Sequence, residues 1–151
     1  MLRCTHMEMK TLIYNIDINA PVEKVWRTML EKDTYEMWTT EFTPGSTYEG
    51  SWEEGGEIRF VDPAGNGMIS EIAENRLHEY ISIRHLGMIV KGETEYEGAT
   101  EWAPSYENYT FTEADGVTTV KIEMQSMPDY EAMFNDMWPR ALLKLKEICE
   151  R

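Results

Sequence analysis

The last stretch of the chain, residues 129–151, constrains the fold more than any other. Met133, Phe134, Met137, Ala141, Leu142, Leu145, Ile148 and Cys149 recur at three- and four-residue steps, while Lys144, Lys146, Glu147, Glu150 and Arg151 lie largely off that stripe. This spacing predicts an amphipathic helix, which at ~1.5 Å per residue runs on the order of 30 Å. One neighbouring helix is too narrow to cover such a face, so its partner is expected to be a sheet. Pro139 falls inside the pattern, removes one backbone donor and crowds the carbonyl four residues back, which predicts a bend between residues 135 and 139. Ser126 or Asp129 is expected to cap the helix.

The rest of the chain supplies that sheet. Leu12, Tyr14, Ile16 and Ile18 alternate with Ile13, Asn15, Asp17 and Asn19, the two-residue period of a half-buried strand. Asn19-Ala20-Pro21 ends it and opens a short helix: Asn19 or Ala20 stands at the cap, Pro21 in the first turn, and Val22, Val25, Trp26 and Met29 follow at helical spacing. Tyr35, Met37, Trp38 and Phe42 predict a second short helix, broken by Pro44-Gly45. Turn-separated β-like runs follow at 47–52, 57–61, 68–73, 79–86, 106–112 and 117–127. Residues 87–104 are expected to begin as a turn and continue as a loop, with room for one short strand. The order predicts an α+β layout: a curved antiparallel sheet of about six to seven strands folded around the terminal helix, with two short helices after strand 1. A cavity is expected between sheet and helix.

After a lead of residues 1–8, residues 9–151 are expected to form a single domain, a length that suits one hydrophobic core. No long apolar run suggests a signal peptide or a membrane span, so the chain is expected to be soluble and cytoplasmic. Cys4 and Cys149, the only cysteines, have no metal-type spacing and read as reduced thiols. A formal charge of −14 disfavours nucleic acid and anionic membranes as partners. The 11 Met, five Trp, eight Tyr and four Phe suit a core or an adaptable cavity equally.

Strand parity sets His85 with Ile81 and Ile83 on the inward face, where an imidazole can hold a ligand or join an internal network. Glu107 and Tyr109, two apart on one strand, share a face, and either can pair with His85 across the sheet. Trp38, Phe42, Met68, Met133 and Met137 are candidates for the apolar wall of the cavity, and Trp102 for its mouth. The carboxylates Glu93, Glu95, Glu97 and Glu101 read as a solvated loop face, and no metal site is expected. His6 and His78 have no ligand spacing. No nucleophile elbow, phosphate-cradling loop or dinucleotide fingerprint is present, so no catalytic residue and no cofactor is assigned.

Several motifs bear a family resemblance. They are Asn19-Ala20-Pro21-Val22-Glu23-Lys24-Val25-Trp26, Gly50-Ser51-Trp52, the run from Gly55 to Phe60, Gly67-Met68-Ile69, and Met137-Trp138-Pro139-Arg140-Ala141-Leu142 before Leu145-Lys146. Together they resemble the START-related helix-grip (SRPBCC) superfamily. Ile83-Arg84-His85-Leu86-Gly87, Gly92-Glu93 and Glu107-Asn108-Tyr109-Thr110-Phe111 are similar to motifs of its bacterial single-domain branch, the homologues of the activator of the heat-shock-protein-90 ATPase. The resemblance covers roughly residues 13–150 and implies a helix-grip fold. Superfamily members include lipid and hormone carriers, cyclases and co-chaperones.

The first functional expectation is therefore a non-catalytic, stress-related domain holding a small hydrophobic or amphipathic molecule beneath the terminal helix. His85, with Glu107 or Tyr109, would orient the polar end. A chaperone-accessory domain, meeting a chaperone through its acidic surface, is the alternative. A cyclase-like or hydrolytic enzyme using His85 is the third and weakest. A monomer or a homodimer is expected.

Overall fold

The computed structural model describes residues 8–151. Nearly all of the lead, with Cys4 and His6, lies outside the described residues. The elements are β1 (Lys10–Ile18), α1 (Val22–Leu30), α2 (Lys32–Trp38), β2 (Thr47–Gly50), β3 (Glu57–Val61), β4 (Gly67–Arg76), β5 (Tyr80–Val90), β6 (Glu93–Glu95), β7 (Ser105–Ala114), β8 (Val117–Ser126) and α3 (Glu131–Cys149). Every pairing is antiparallel. Seven strands run in the order β1-β8-β7-β5-β4-β3-β2, and β6 pairs with the far end of β5 as an eighth. This is the α+β layout predicted from the sequence.

Strand β5 departs most from expectation. Residues 87–90, read as a turn, prolong the strand, and 88–90 pair with β6. Gly87 permits this because a Cβ there would sit 2.8 Å from the Tyr96 ring and 3.0 Å from the Glu95 carbonyl oxygen. A glycine read as punctuation is a close-approach site instead. Leu86 has no partner in the β4 register, and this bulge brings Met88 opposite Met68, so that both line the same cavity.

The helix starts also differ from the local reading. Pro21, expected in the first turn of α1, occupies the cap position and neither Asn19 nor Ala20 caps. The Val22 N–H is instead accepted by the Glu113 carboxylate of β7 at 2.7 Å. At α3 neither Ser126 nor Asp129 caps. The Ser126 hydroxyl donates to the Met127 carbonyl at 2.9 Å, and Asp129 belongs to a 3₁₀ turn, Pro128–Tyr130, that leads into the helix. Helix α3 is continuous over 19 residues with Pro139 in its interior.

Its two halves do different work. Trp138, Ala141, Leu142, Leu145, Ile148 and Cys149 are buried in one hydrophobic cluster with residues such as Ile18, Val25, Met29, Ile72, Ile83 and Ile122. The predicted stripe thus shifts, since Met133 is 41 % exposed and Trp138, absent from the stripe as read, becomes its central anchor. Four polar ties fix α3 along β1: Lys10 Nζ to Glu131 Oε1 at 2.7 Å, the Tyr14 hydroxyl to Asn135 Oδ1 at 2.7 Å, Lys146 Nζ to the Asp17 carbonyl at 2.8 Å, and the Asn19 N–H to Glu150 Oε2 at 2.8 Å. The first half, tied to the edge strand β1 by Glu131 and Asn135, roofs a space.

Candidate functional site

That space is a cavity of about 560 Å³, a size that suits a small molecule. Its floor comes from β3, β4, β5, β7 and β8, its roof from Phe134 and Trp138 of α3, and one side from Trp38 and Phe42. Exposed Met88, Tyr130 and Met133 stand on its wall, so it communicates with the surface. Trp138 lies at the centre of an aromatic cluster, its ring centroid 4.9 Å from Phe42, 6.1 Å from Trp38 and 6.2 Å from Tyr109. These separations are those of favourable edge and tilted ring contacts.

On the sheet side four polar residues form a chain. Ser70 Oγ lies 2.6 Å from His85 Nδ1, His85 Nε2 lies 3.0 Å from Glu107 Oε1, and the Tyr109 hydroxyl donates to Glu107 Oε2. Register explains the set. Ser70 sits directly opposite His85 across β4 and β5, while Ile83 opposes Glu107, which places Glu107 on the diagonal from His85. Period-two alternation then sets Tyr109 beside Glu107 on the same face.

Hydrogen-bond accounting gives the chain a direction. Ser70 is fully buried, and among the described residues its hydroxyl bonds only to the ring of His85. It therefore donates to Nδ1, which leaves Nε2–H to donate to Glu107. Both Glu107 oxygens then act as acceptors, the carboxylate form. Burial, reinforced by the Glu107 charge, pushes the Tyr109 phenol well above its ordinary 10.0, so it stays a neutral donor. Tyr35, which also lines the cavity, is pushed up by burial in the same way.

With both ring nitrogens engaged, His85 presents no free base to the cavity. Within the polar chain, what remains accessible is the lone-pair surface of Glu107, whose side chain is 16 % exposed. Among the described residues no group of three or more His, Cys, Asp or Glu side chains converges as metal ligands would. What the arrangement offers is a fixed acceptor at the base of an apolar, aromatic chamber.

Residues 19–150 match the family described as Activator of Hsp90 ATPase homolog 1-like protein. The chain belongs to that family. No curated protein matches the chain. Among solved structures, this Activator of Hsp90 ATPase homolog 1-like chain resembles the Aha1 dimer from Colwellia psychrerythraea, with TM-score 0.69 and 19 % identity over 93 % of this chain and 96 % of that one. Protein MLL2253 from Mesorhizobium loti gives TM-score 0.69 and 19 % identity, covering 92 % of this chain and 96 % of its own. CalU16 from Micromonospora echinospora gives 0.64 and 18 %, covering 93 % and 74 %. At these identities the likeness is one of fold.

Of the candidates read from the sequence of this Activator of Hsp90 ATPase homolog 1-like chain, Trp38, Phe42, Met68, His85, Glu107, Tyr109 and Met133 all line the cavity, as does Trp102. Met137 does not. The rail on the cavity wall is Tyr130, Phe134 and Trp138, in steps of four, and Met137 is turned by about 100° from Trp138. His78 lies elsewhere, its ring 5.8 Å from that of Trp26. Ser70 and Trp138 were missed. Trp138 stands three, four and seven residues before Ala141, Leu142 and Leu145, so the helical spacing could have found it. Ser70 had no such signal, because its meeting with His85 depends on strand register.

Proposed function

We propose that this domain binds, without turning it over, a small hydrophobic or amphipathic molecule between the sheet and α3. The observation that carries this reading is the apolar cavity of about 560 Å³ with one buried polar chain at its floor. A chamber walled mainly by aromatic rings and thioethers, with a polar chain fixed on its floor, suits an apolar body with an oriented head. The committed nitrogens of His85 favour binding over acid–base chemistry.

The test is direct. Solvent extraction of the purified protein with mass spectrometry should recover a one-to-one apolar compound, or a panel of lipids and aromatic metabolites should raise the melting temperature. An empty extract together with a flat panel overturns the proposal.

Membership of the family favours a second reading, a stress-related accessory domain that meets a chaperone through its acidic surface. That reading requires salt-sensitive capture of a chaperone, undiminished when the cavity is filled by a larger side chain. Failure to recover a chaperone at low salt counts against it.

A further inference from the structure

We propose that the cavity selects an amphiphile with a cationic head, an amine or ammonium, and that Glu107 receives that head. This rests on the cavity-binding reading above and adds the chemical class of the ligand.

The first ground is the sign of the lining. Among the described residues around the cavity there is no lysine and no arginine, whereas Glu107 and Asp62 both line it. A fatty-acid anion placed inside would face Glu107 with no cation to receive its own charge. Like charges that close in a water-poor site repel strongly, so an anionic head is excluded where a cationic one is drawn in. The formal charge of −14 acts in the same direction at longer range.

The second ground is that Glu107 has no lysine or arginine partner. Its two bonds come from the His85 imidazole and from the Tyr109 phenol. Arg84, the nearest guanidinium in sequence to His85, points to the other face of the sheet by strand alternation and pairs with Glu71. Each Glu107 oxygen has accepted one hydrogen, and a carboxylate has room for about four, so open acceptor positions remain. A buried carboxylate left uncompensated is costly, and a cation entering the cavity would remove that cost.

The third ground is the chamber itself. The Phe60 ring lies 6.0 Å from the His85 ring, and Trp138 lies 6.2 Å from Tyr109, so aromatic rings stand beside both residues that hold the carboxylate. Rings of this kind stabilise an ammonium through their faces as well as covering an alkyl or aryl tail. Neither feature helps an anion.

The experiment compares three probes with the same twelve-carbon tail, dodecylammonium and dodecanoate below their micelle concentrations and dodecanol below its solubility limit, on the full chain. Calorimetry in about 0.5 M salt, where screening falls to roughly 4 Å, suppresses general attraction to the acidic surface. Dodecylammonium is expected to bind one-to-one and at least about tenfold more tightly than dodecanoate, with dodecanol between them. Glu107→Gln should bring the amine down to the level of the alcohol, while Glu123→Gln on the outer face leaves the ranking unchanged. If the alcohol or the carboxylate binds as tightly as the amine, the inference fails and the cavity reading stands. If none of the three binds, both fail. Should Glu107→Gln not fold, the ranking in the unmodified protein is sufficient to overturn the selection for a cation.

Discussion

The indole Nε1–H of Trp138 donates to the thioether sulfur of Met124 at 3.1 Å, joining the terminal helix directly to β8. Both residues also line the cavity, so this bond stands where the packed half of α3 gives way to the roofing half. Trp138 is only 3 % exposed and packs against rings from β1, α2 and β7 as well as Phe42, which makes it the anchor of the roof.

Replacing Trp138 by Ala should therefore cost roughly 3–5 kcal/mol, as large aromatic truncations in cores do, and urea unfolding would measure it. Met124→Leu keeps the volume and loses only a weak acceptor, so it should cost less than about 1.5 kcal/mol. Similar losses for the two would show that the tryptophan is not the anchor.

The polar chain beneath it should behave as a unit. Ser70→Ala removes the donor to His85 Nδ1 and leaves a buried acceptor unsatisfied, at a cost of about 1–3 kcal/mol. Tyr109→Phe takes one donor from the Glu107 carboxylate and should cost about 1.5–3 kcal/mol, the range for bonds to a charge. Because both act on the bonding of one His85–Glu107 pair, the double variant should deviate from additivity by more than about 0.5 kcal/mol. Strict additivity in a double-mutant cycle would mean that the four residues do not form one network.

How far the sequence revealed this arrangement follows from the range over which each signal acts. The parity of Ile81, Ile83 and His85 and the pair Glu107 and Tyr109 are local features, and the structure keeps them on the inner face. The strands, the short helices and the long helix were legible for the same reason, since period and punctuation are properties of short windows. Ser70 was not legible, because the two bulges flanking its pairing with His85 set a register that no local pattern encodes. Nor was the Glu113 cap on α1, which reaches across 91 positions of sequence. Gly87 misled because the reason for a glycine there is the Tyr96 ring, not a turn.

That distant cap can be tested. With Pro21 at the cap position and no side-chain capping hydrogen bond from its own end, α1 relies on Glu113 for its Val22 N–H. Glu113→Ala should destabilise the protein by about 0.5–2 kcal/mol, toward the lower end because the residue is exposed. Glu113→Gln retains an acceptor oxygen and should recover part of the loss. An unchanged midpoint for Glu113→Ala would indicate that water caps the helix as well.

The alkaline limb of stability should report on Tyr109. Its phenol is raised above the ordinary 10.0 first by burial and then by the Glu107 charge. The folded state therefore holds its proton more tightly than the unfolded chain does. The resulting stability is fully present below about pH 10 and is lost as the pH climbs from there toward the folded value. Urea midpoints taken from about pH 8 to about pH 11 should be level and then fall. Tyr109→Phe should start lower, having lost its bond, yet fall less steeply above pH 10; Tyr35, shifted the same way, retains part of the slope. Parallel curves would show that Tyr109 does not contribute to the fall.

The two methionines of the roofing half give the sharpest test of where a ligand enters. Met133 is exposed and stands on the cavity wall, while Met137, four residues on, lies off it. Both are of one residue type and one helix face as read from sequence, so a general effect on α3 would touch them alike. Met133→Trp places a larger side chain at the mouth and should weaken binding of any cavity probe by about tenfold or more, with little change in the unfolding midpoint. Met137→Trp should leave binding within about twofold. If both substitutions weaken binding equally, the helix moves as a whole when the ligand enters. If Met137→Trp alone weakens it, the entrance lies on a different face of α3 from the one that Tyr130, Met133 and Phe134 define.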